Sequence, residues 1–400
     1  MFNTKQPLIC LAPAPWDGPW GTWNQILSRL AERGWPVIYS NGPLDIWERG
    51  KSDWGQASLG HTARKADGVI VDMPGRLFPT YTGSKIWTSA MRRLHAGHLR
   101  RLAARASALP PISVIFHPLY AHYAQRLDAT DCVYFAYDMF SMGGEWTPEL
   151  AEAERTMVAH SAFTVSVTSA IADELLQDAS NPVRVLPSAV DAARFAAGLK
   201  LPPPADLAAI PHPRIGYIGR LTPKVNFALI ADIARRRPDW HWAIVGPVLL
   251  DGSVSPEATV RAKADYAACE ALPNVHFLGL KHHDELPQYA ANMDVNTICN
   301  LTEGGWWVAA SPLKLFEYFA VGKPIISSAL AEAVRFEHLV TIAETALQWI
   351  DAIGDALQHG GTGTTAMRLQ AAQENSWERR VDQFERWLQE MRPQGHKRPT

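Results

Sequence analysis

Short apolar runs alternate with segments of helical periodicity along almost the whole chain. In the first half these runs are PLICLAP, PVIYSN, DGVIVDM, ISVIFHP, CVYFAYDM, FTVSVTS and VRVLPSA. After residue 213 the alternation resumes with RIGYIGRL, HWAIVGPV, VHFLGL, DVNTIC, KPIISS and HLVTIA. A strand-like run followed by a helical pattern, repeated many times, predicts parallel sheets that are covered by helices.

The proline-rich segment 200–213 interrupts this alternation and predicts a linker. We therefore expect two doubly wound α/β domains, a first at 1–199 and a second at 214–375. The remaining segment, 376–400, contains an amphipathic helical pattern and is a candidate to cross back to the first domain.

Composition places the chain among ordinary globular proteins. It has 400 residues, 47% of them hydrophobic and 20% charged, with a net charge of −2, so no global field recruits nucleic acid. The four cysteines are widely spaced, which favours buried thiols in a reducing compartment. We see neither the apolar core of a signal peptide nor a membrane-spanning run, and we expect a cytoplasmic protein.

One charge feature stands out in the first domain. No acidic residue lies between Asp72 and Asp128, and most of the cations in that interval fall on the predicted helix 84–108. Trp87, Met91, Leu94 and Leu102 would form its apolar side. A basic amphipathic helix suits an anionic membrane surface or a phosphorylated acceptor, and a solvated arginine face is the alternative.

The segment SPLKLFEYFAVGKPIISS, 311–328, predicts a short helix capped by Ser311 and followed by a buried strand. Lys314 would lie in the first turn, where the helix dipole disfavours a cation. A diphosphate bound at the same helix end would compensate both charges, and Glu317, one turn on, could accept ribose hydroxyls. The alternative is a surface ion pair between Lys314 and Glu317.

Two other loops of the second domain carry candidate ligand residues. GYIGRLTPKVN places Gly219, Arg220 and Lys224 after its first strand, where cations would neutralise a diphosphate. FLGLKHHDELPQYAANMDV places Gly279 and His282 after another strand, as a cradle for a nucleotide base.

These motifs, in this order, resemble the donor half of GT-B glycosyltransferases, especially bacterial enzymes of families 4 and 1 that assemble polysaccharides. LPSAVDAARF resembles the segment that closes their first domain, with Ala189 in place of the usual glycine. The loop and helix beginning at PAPWDGPW resemble their acceptor side. The resemblance implies two Rossmann-like domains that face a central cleft.

The resemblance also implies roles for individual residues. Lys314 and Arg220 would hold the donor diphosphate and Glu317 the ribose, and Glu303, in NLTEGGWW, would face the donor sugar. Acceptor-side contacts would come from Trp16, Asp17 and Gly18. Thirteen residues separate Glu303 from Glu317, more than in the commoner retaining members, so their pair of glutamates does not transfer cleanly.

The candidate catalytic base lies in the first domain. CVYFAYDMFSM is an apolar strand that ends at Asp138, where flanking aromatic residues should partly desolvate the carboxylate, as suits a general base. The segment resembles the one that carries the catalytic aspartate of the inverting xanthan glucuronosyltransferase. The alternative is that Asp138 caps the next helix. His117 ends a neighbouring strand and is either an acceptor contact, a second base or a buried structural histidine.

Two motifs are missing from the sequence. There is no Asp-x-Asp, so a metal-bridged diphosphate is not expected, and no GxGxxG, so a dinucleotide dehydrogenase is disfavoured. We predict a metal-independent, inverting glycosyltransferase that uses a UDP or GDP sugar and a saccharide or lipid-linked acceptor at the inner face of the plasma membrane. The rivals are a nucleotide-sugar epimerase and a non-catalytic protein that binds a nucleotide sugar or a glycan.

Overall fold

The larger of the two sheets lies in the N-terminal half of the chain. The structure, a computed structural model, describes residues 5–18, 20–50, 52–143, 146–251 and 255–391. The strand order is β3-β4-β2-β1-β5-β6-β7-β8, and all neighbours are parallel except β3 and β4. The strands are β1 Leu8–Leu11, β2 Val37–Ser40, β3 Thr62–Ala66, β4 Val69–Met73, β5 Ile112–Ile115, β6 Asp131–Ala136, β7 Phe163–Ser166 and β8 Val183–Val185.

The second sheet has six strands, all parallel, in the order β11-β10-β9-β12-β13-β14. Its central strands are buried on both faces, as expected of a sheet covered by helices on both sides. The strands are β9 Arg214–Ile218, β10 His241–Val245, β11 Val275–Gly279, β12 Val295–Ile298, β13 Ile325–Ser327 and β14 Thr341–Ile342.

Helices connect the strands of both sheets. Within the described residues they are α1 Thr22–Glu32, α2 Ser52–Gln56, α3 Lys85–Ala106, α4 Ala121–Ala124, α5 Pro148–His160, α6 Ser169–Leu175, α7 Ala192–Gly198, α8 Ala205–Ala208, α9 Phe227–Arg236, α10 Pro256–Glu270, α11 Leu286–Ala291, α12 Leu313–Val321, α13 Ala331–Val334, α14 Ala346–His359, α15 Thr365–Glu374 and α16 Trp377–Glu390. None of them combines the length and the apolar character needed to cross a bilayer.

The predicted α/β class with two parallel sheets is confirmed, and each predicted apolar run contains a strand. The sequence analysis missed β3, whose sequence TARKA has two charged residues among its five and is largely exposed. β3 is an antiparallel edge strand, so it needs no apolar pattern, and its charged side chains protect the open edge of the sheet.

The buried side of α3 differs from the predicted apolar side. Met91 and Leu102 are buried as expected, but Trp87 and Leu94 are exposed. His95 and His98 take up buried positions instead. The apolar pattern of this helix was therefore assigned in part to the wrong face.

The chain forms two compact units, which we describe separately. Among the described residues, one unit consists of 5–138, 146–186 and 380–391, and the other of 139–143 and 187–379. The segment 200–213, predicted as a linker, packs within the second unit, where Leu207 and Ile210 are buried in its core. The last part of α16 belongs to the first unit.

Glu385 of α16 is a polar anchor in the first unit. Its carboxylate accepts hydrogen bonds from Lys5 Nζ at 2.8 Å, Trp35 Nε1 at 2.7 Å and Arg33 at 3.0 Å. Burial alone would raise the pKa of Glu385, but these hydrogen bonds outweigh it and lower the pKa to about 2. The bonds hold α16 against the first unit because each donor comes from the N-terminal part of the chain.

We expect Glu385→Gln to reduce the free energy of unfolding of the first unit by about 2 kcal/mol at neutral pH, because charge-assisted bonds are lost. Since the folded pKa lies below the unfolded value, wild-type stability from this group is present above about pH 4.5 and lost towards pH 2. Thermal or denaturant unfolding across this pH range measures the effect. Asp382→Asn is the matched control, because Asp382 bonds the same Arg33 from an exposed position. An equal loss in both variants would contradict the assignment.

Candidate active site

A glycine lies at, or directly after, the carboxyl end of each of the strands β9, β10 and β11. These glycines let the strand ends lie close together. Gly219 has φ +144, Gly246 φ +147 and Gly279 φ +71, a region that glycine alone adopts without strain. A Cβ on Gly246 would lie 1.9 Å from the carbonyl oxygen of Gly219. The two strand ends therefore approach too closely for a side chain at position 246, and Gly246 was missed by the sequence analysis.

Lys314 reaches this edge of the sheet from the second position of α12. Its Nζ lies 3.8 Å from the ring centroid of Tyr217, in β9, and a Cβ on Gly219 would be 2.7 Å from the same atom. A side chain at position 219 would therefore displace the end of the lysine. Tyr217 was part of the motif GYIGRL, but the sequence analysis considered only the glycines and the arginine of that motif.

The ammonium of Lys314 has no anionic partner among the described residues. It is partly buried, and burial lowers its pKa to about 8; Arg220 acts in the same direction, and Cys299 and Glu317 oppose it. The face of the Tyr217 ring supplies some of the missing negative potential. A cation at the N-terminal end of a helix, without a carboxylate, is an arrangement that an anion would stabilise.

Glu317 lies one turn further along α12 and is also partly buried. Burial raises its pKa to about 7, against the opposing effects of Lys314 and Arg194. No ion pair within 4 Å joins Glu317 to Lys314, so the alternative of a surface ion pair is wrong. Both side chains keep their polar atoms for another group.

Ser311 does not cap α12, so this prediction is wrong. Pro312 occupies the cap position without a side-chain hydrogen bond. The hydroxyl of Ser311 instead accepts the amide hydrogen of Ser188 at 3.3 Å, and the hydroxyl of Ser188 donates to the carbonyl of Ser311 at 2.9 Å. These bonds join the start of α12 to the segment LPSAVDAARF, and the first helical N–H groups keep no side-chain acceptor.

The other predicted donor residues also belong to the second unit. Arg220 is exposed and forms no ion pair with a described residue, and its carbonyl accepts a hydrogen bond from the Tyr217 hydroxyl at 3.4 Å. Lys224 Nζ lies 4.6 Å from the ring centroid of Trp306. His282 is exposed, 3.2 Å from Asp284, and Asp284 also pairs with Arg194 at 2.9 Å. Arg194 was missed because its segment was considered only as a domain boundary.

Glu303 is exposed and forms an ion pair with Arg261 of α10 at 3.1 Å. Gly304 and Gly305, which follow it, have φ +74 and +80, so the loop turns sharply. Glu303 is therefore paired with Arg261, a residue that the sequence analysis had not considered.

In the first unit the predicted acceptor-side loop is built around a buried tryptophan. Trp16 is 2% exposed, donates from Nε1 to Asp67 at 2.9 Å and packs edge-on against Tyr39. Its ring is thus part of the core and is not a free surface for a sugar. Asp17 is exposed and pairs with Arg64, and Gly18 donates its amide hydrogen to Pro15 at 3.1 Å.

Asp138 and His117 lie near one another at the ends of β6 and β5. Asp138 is exposed, so the predicted desolvation of its carboxylate is wrong. His117 is partly buried, its Nδ1 accepts the amide hydrogen of Leu119 at 3.1 Å, and burial lowers its pKa to about 4 against the opposing charge of Asp138. His117 is therefore neutral at pH 7 and caps the following turn, as the structural alternative expected.

Comparison with known proteins finds similarity to glycosyltransferases in the second unit. Residues 212–359, which are less than half of the chain, match the family described as Glycosyl transferases group 1. TuaH of Bacillus subtilis (strain 168), named as a teichuronic acid biosynthesis glycosyltransferase, is 29% identical over 165 residues, which are 41% of this chain and 39% of TuaH. The match thus spans well under half the length of this relative.

Solved structures share the fold of the whole chain. Sucrose-phosphate synthase from Thermosynechococcus elongatus is 14% identical with a TM-score of 0.67, covering 97% of this chain and 99% of its own. Anabaena HepE in complex with UDP and glucose is 14% identical with a TM-score of 0.66, covering 96% and 100%. The α,α-trehalose-phosphate synthase (UDP-forming) from Burkholderia vietnamiensis is 14% identical with a TM-score of 0.68, covering 96% and 99%. The predicted GT-B fold is confirmed.

Proposed function

We propose that the protein transfers a sugar from a nucleoside diphosphate sugar to a saccharide acceptor during synthesis of a cell-surface polysaccharide. The observation that carries this proposal is the partly buried, unpaired ammonium of Lys314 beside Gly219 and the start of α12. A diphosphate there would meet Lys314, Arg220 and the free N–H groups of the helix. The name of TuaH supports a polysaccharide product, and the UDP complex of HepE supports a nucleotide donor.

In the proposed reaction Asp138 removes the proton of an acceptor hydroxyl. The oxygen attacks the anomeric carbon as the bond to the diphosphate breaks, so the configuration at that carbon inverts. Lys314 and Arg220 stabilise the charge on the departing nucleoside diphosphate. Glu317 accepts hydrogen bonds from the ribose, and the loop of Glu303 contacts the donor sugar. No step in this scheme depends on a metal ion.

The exposed face of α3 supports an acceptor that is linked to a membrane lipid. Arg93, Arg101 and Arg105 lie on it at spacings of eight and four residues, and all three are exposed. Ile86 is 86% exposed on the same helix. Cations beside exposed apolar side chains suit the surface of an anionic bilayer. Arg92 is partly buried and Arg100 pairs with Asp128, so these two arginines contribute less.

We expect Asp138→Asn to lower the rate of sugar transfer by about a hundredfold or more while donor affinity stays unchanged, because only the base is lost. The measurement is product formation from nucleotide sugar and acceptor, with NMR of the new anomeric centre; the inverted anomer is expected. Asp131→Asn, at the other end of β6, is the matched control.

The outcomes of that assay separate the rivals. An epimerised nucleotide sugar formed without acceptor would identify an epimerase. Donor binding without any turnover by the wild type would identify a non-catalytic binding protein. Transfer with retained configuration, or full activity of Asp138→Asn, would reject the role of Asp138 as the base of an inverting reaction.

We expect donor affinity to be highest between about pH 7 and 8. Lys314 must be protonated to bind the diphosphate, so affinity falls about tenfold per pH unit above its free pKa of about 8. Glu317 must be ionised to accept ribose hydroxyls, so affinity also falls below its pKa of about 7. Calorimetric titration with a UDP or GDP sugar measures both limbs. Lys314→Arg should remove the loss of donor affinity at alkaline pH, and Glu317→Gln should remove the loss at acidic pH. A wild-type donor affinity that does not change with pH would reject both assignments.

We expect the triple variant of Arg93, Arg101 and Arg105 to glutamine to lose co-sedimentation with vesicles that contain anionic phospholipid, because each cation near the surface contributes about 1 kcal/mol. The control is the equally charged triple variant of Arg155, Arg236 and Arg335, exposed arginines that each pair with an acid on the same helix or turn. Equal sedimentation of both variants would contradict a membrane role for α3.

A further inference from the structure

A second group of polar side chains lies in the first unit, under α3. Asp72 is the penultimate residue of β4 and is fully buried. His95 and His98 lie one turn apart on the inward side of α3, and His61 precedes β3. The sequence analysis found none of these, although two histidines three residues apart on a helix share a face.

Hydrogen bonds hold His95 and one carboxylate oxygen of Asp72 in place. Asp72 Oδ2 accepts a hydrogen bond from Ser40 Oγ at 2.7 Å and lies 2.7 Å from His95 Nε2. His95 Nδ1 lies 2.6 Å from the hydroxyl of Tyr123. Both nitrogens of His95 and one oxygen of Asp72 therefore have partners, and the carboxylate is held in one orientation.

Three other polar atoms of the group have no hydrogen-bond partner. Asp72 Oδ1, His61 Nε2 and His98 Nε2 are buried atoms without one. His98 Nε2 lies 3.3 Å from Asp72 Oδ1, and atoms offered by His61, Asp72 and His95 lie within 4.8 Å of one another. An unsatisfied buried polar atom is costly, and these three belong to neighbouring side chains, since the rings of His61 and His98 stack with their centroids 5.1 Å apart.

The negative charge of the buried Asp72 carboxylate also needs a positive charge beside it. Among the ion pairs of the described residues, those of Asp72 involve only histidines, with no lysine or arginine. A buried carboxylate needs a positive charge close by. That charge is either a proton on one imidazole or a metal cation bound between the three free atoms.

We propose that Asp72, His98 and His61 bind a divalent cation of the zinc type. Imidazole nitrogen and carboxylate oxygen are the ligands that such ions prefer. With metal–ligand bonds of about 2.0–2.1 Å, tetrahedral ligand atoms stand roughly 3.3 Å apart, which matches the separation of His98 Nε2 and Asp72 Oδ1. His95 and Ser40 hold the carboxylate from behind, as outer partners of metal ligands do. The ion would tie α3 to the end of β4.

His61 is the weakest of the three ligands. Its Nδ1 accepts the amide hydrogen of Gly75 at 3.1 Å, which places the ring proton of the neutral imidazole on Nε2. Coordination through Nε2 moves this proton to Nδ1 and breaks the bond to Gly75. We therefore expect His61 to contribute less to affinity than Asp72 or His98.

The test is Zn²⁺ binding to the chelator-treated full-length protein, measured by calorimetry and by the rise in melting temperature. We expect one ion per chain at this group. Asp72→Asn and His98→Asn should each weaken binding by at least about tenfold, and His61→Asn by a smaller factor. Replacing Zn²⁺ with Co²⁺ gives a visible absorption band that reports nitrogen and oxygen coordination, independent of any enzymatic assay.

A second cluster in the chain provides the control. His282, His283 and Asp284 also lie close enough to hold an ion, but they are largely exposed. The double variant His282→Asn/His283→Asn should keep the binding that Asp72→Asn loses. The reverse result, or no binding by the wild type, would overturn the proposal and leave a proton as the occupant. Circular dichroism of His98→Asn, a substitution at a ligand less deeply buried than Asp72, separates lost binding from lost folding.

Discussion

The candidate donor site depends on an ammonium group that is held at the positive end of a helix. Lys314 enters at the second residue of α12, lies over the ring of Tyr217 and passes beside Gly219, where a larger residue would collide with it. The cost of this arrangement is visible in the lowered pKa of Lys314. A structure keeps such a group when a ligand supplies the compensating charge, and a diphosphate supplies it for the lysine and the helix end together.

The strands of the two sheets carry different kinds of residue at their carboxyl ends. In the second unit β9, β10 and β11 each end at or beside a glycine, a residue without a side chain to cover the backbone. In the first unit Ser40 ends β2 and donates a hydrogen bond to Asp72, the penultimate residue of β4, which also faces His95 of α3. One edge is thus suited to a large anion that approaches the main chain, and the other to a small cation enclosed by side chains.

The sequence identity between this chain and the solved structures is low, although they share a fold. Chains that are 14% identical share the fold with TM-scores near 0.67, because the fold requires only buried strands and covering helices. The position of Tyr217 under Lys314 and the ion pair of Glu303 with Arg261 are side-chain contacts, which a shared fold alone does not specify.

The sequence alone determined the two parallel sheets and, apart from β3, the order of their strands along the chain, because burial and turn chemistry are local patterns. The donor-site roles of Gly219, Arg220, Lys314 and Glu317 stay predictions. Only the tertiary structure decided that Trp16 is core, that Asp138 is exposed, that Ser311 bonds to Ser188 and that Asp72 meets three histidines. Those outcomes depend on contacts between residues that are distant in the chain, and no local pattern encodes which side chain a neighbouring element will cover.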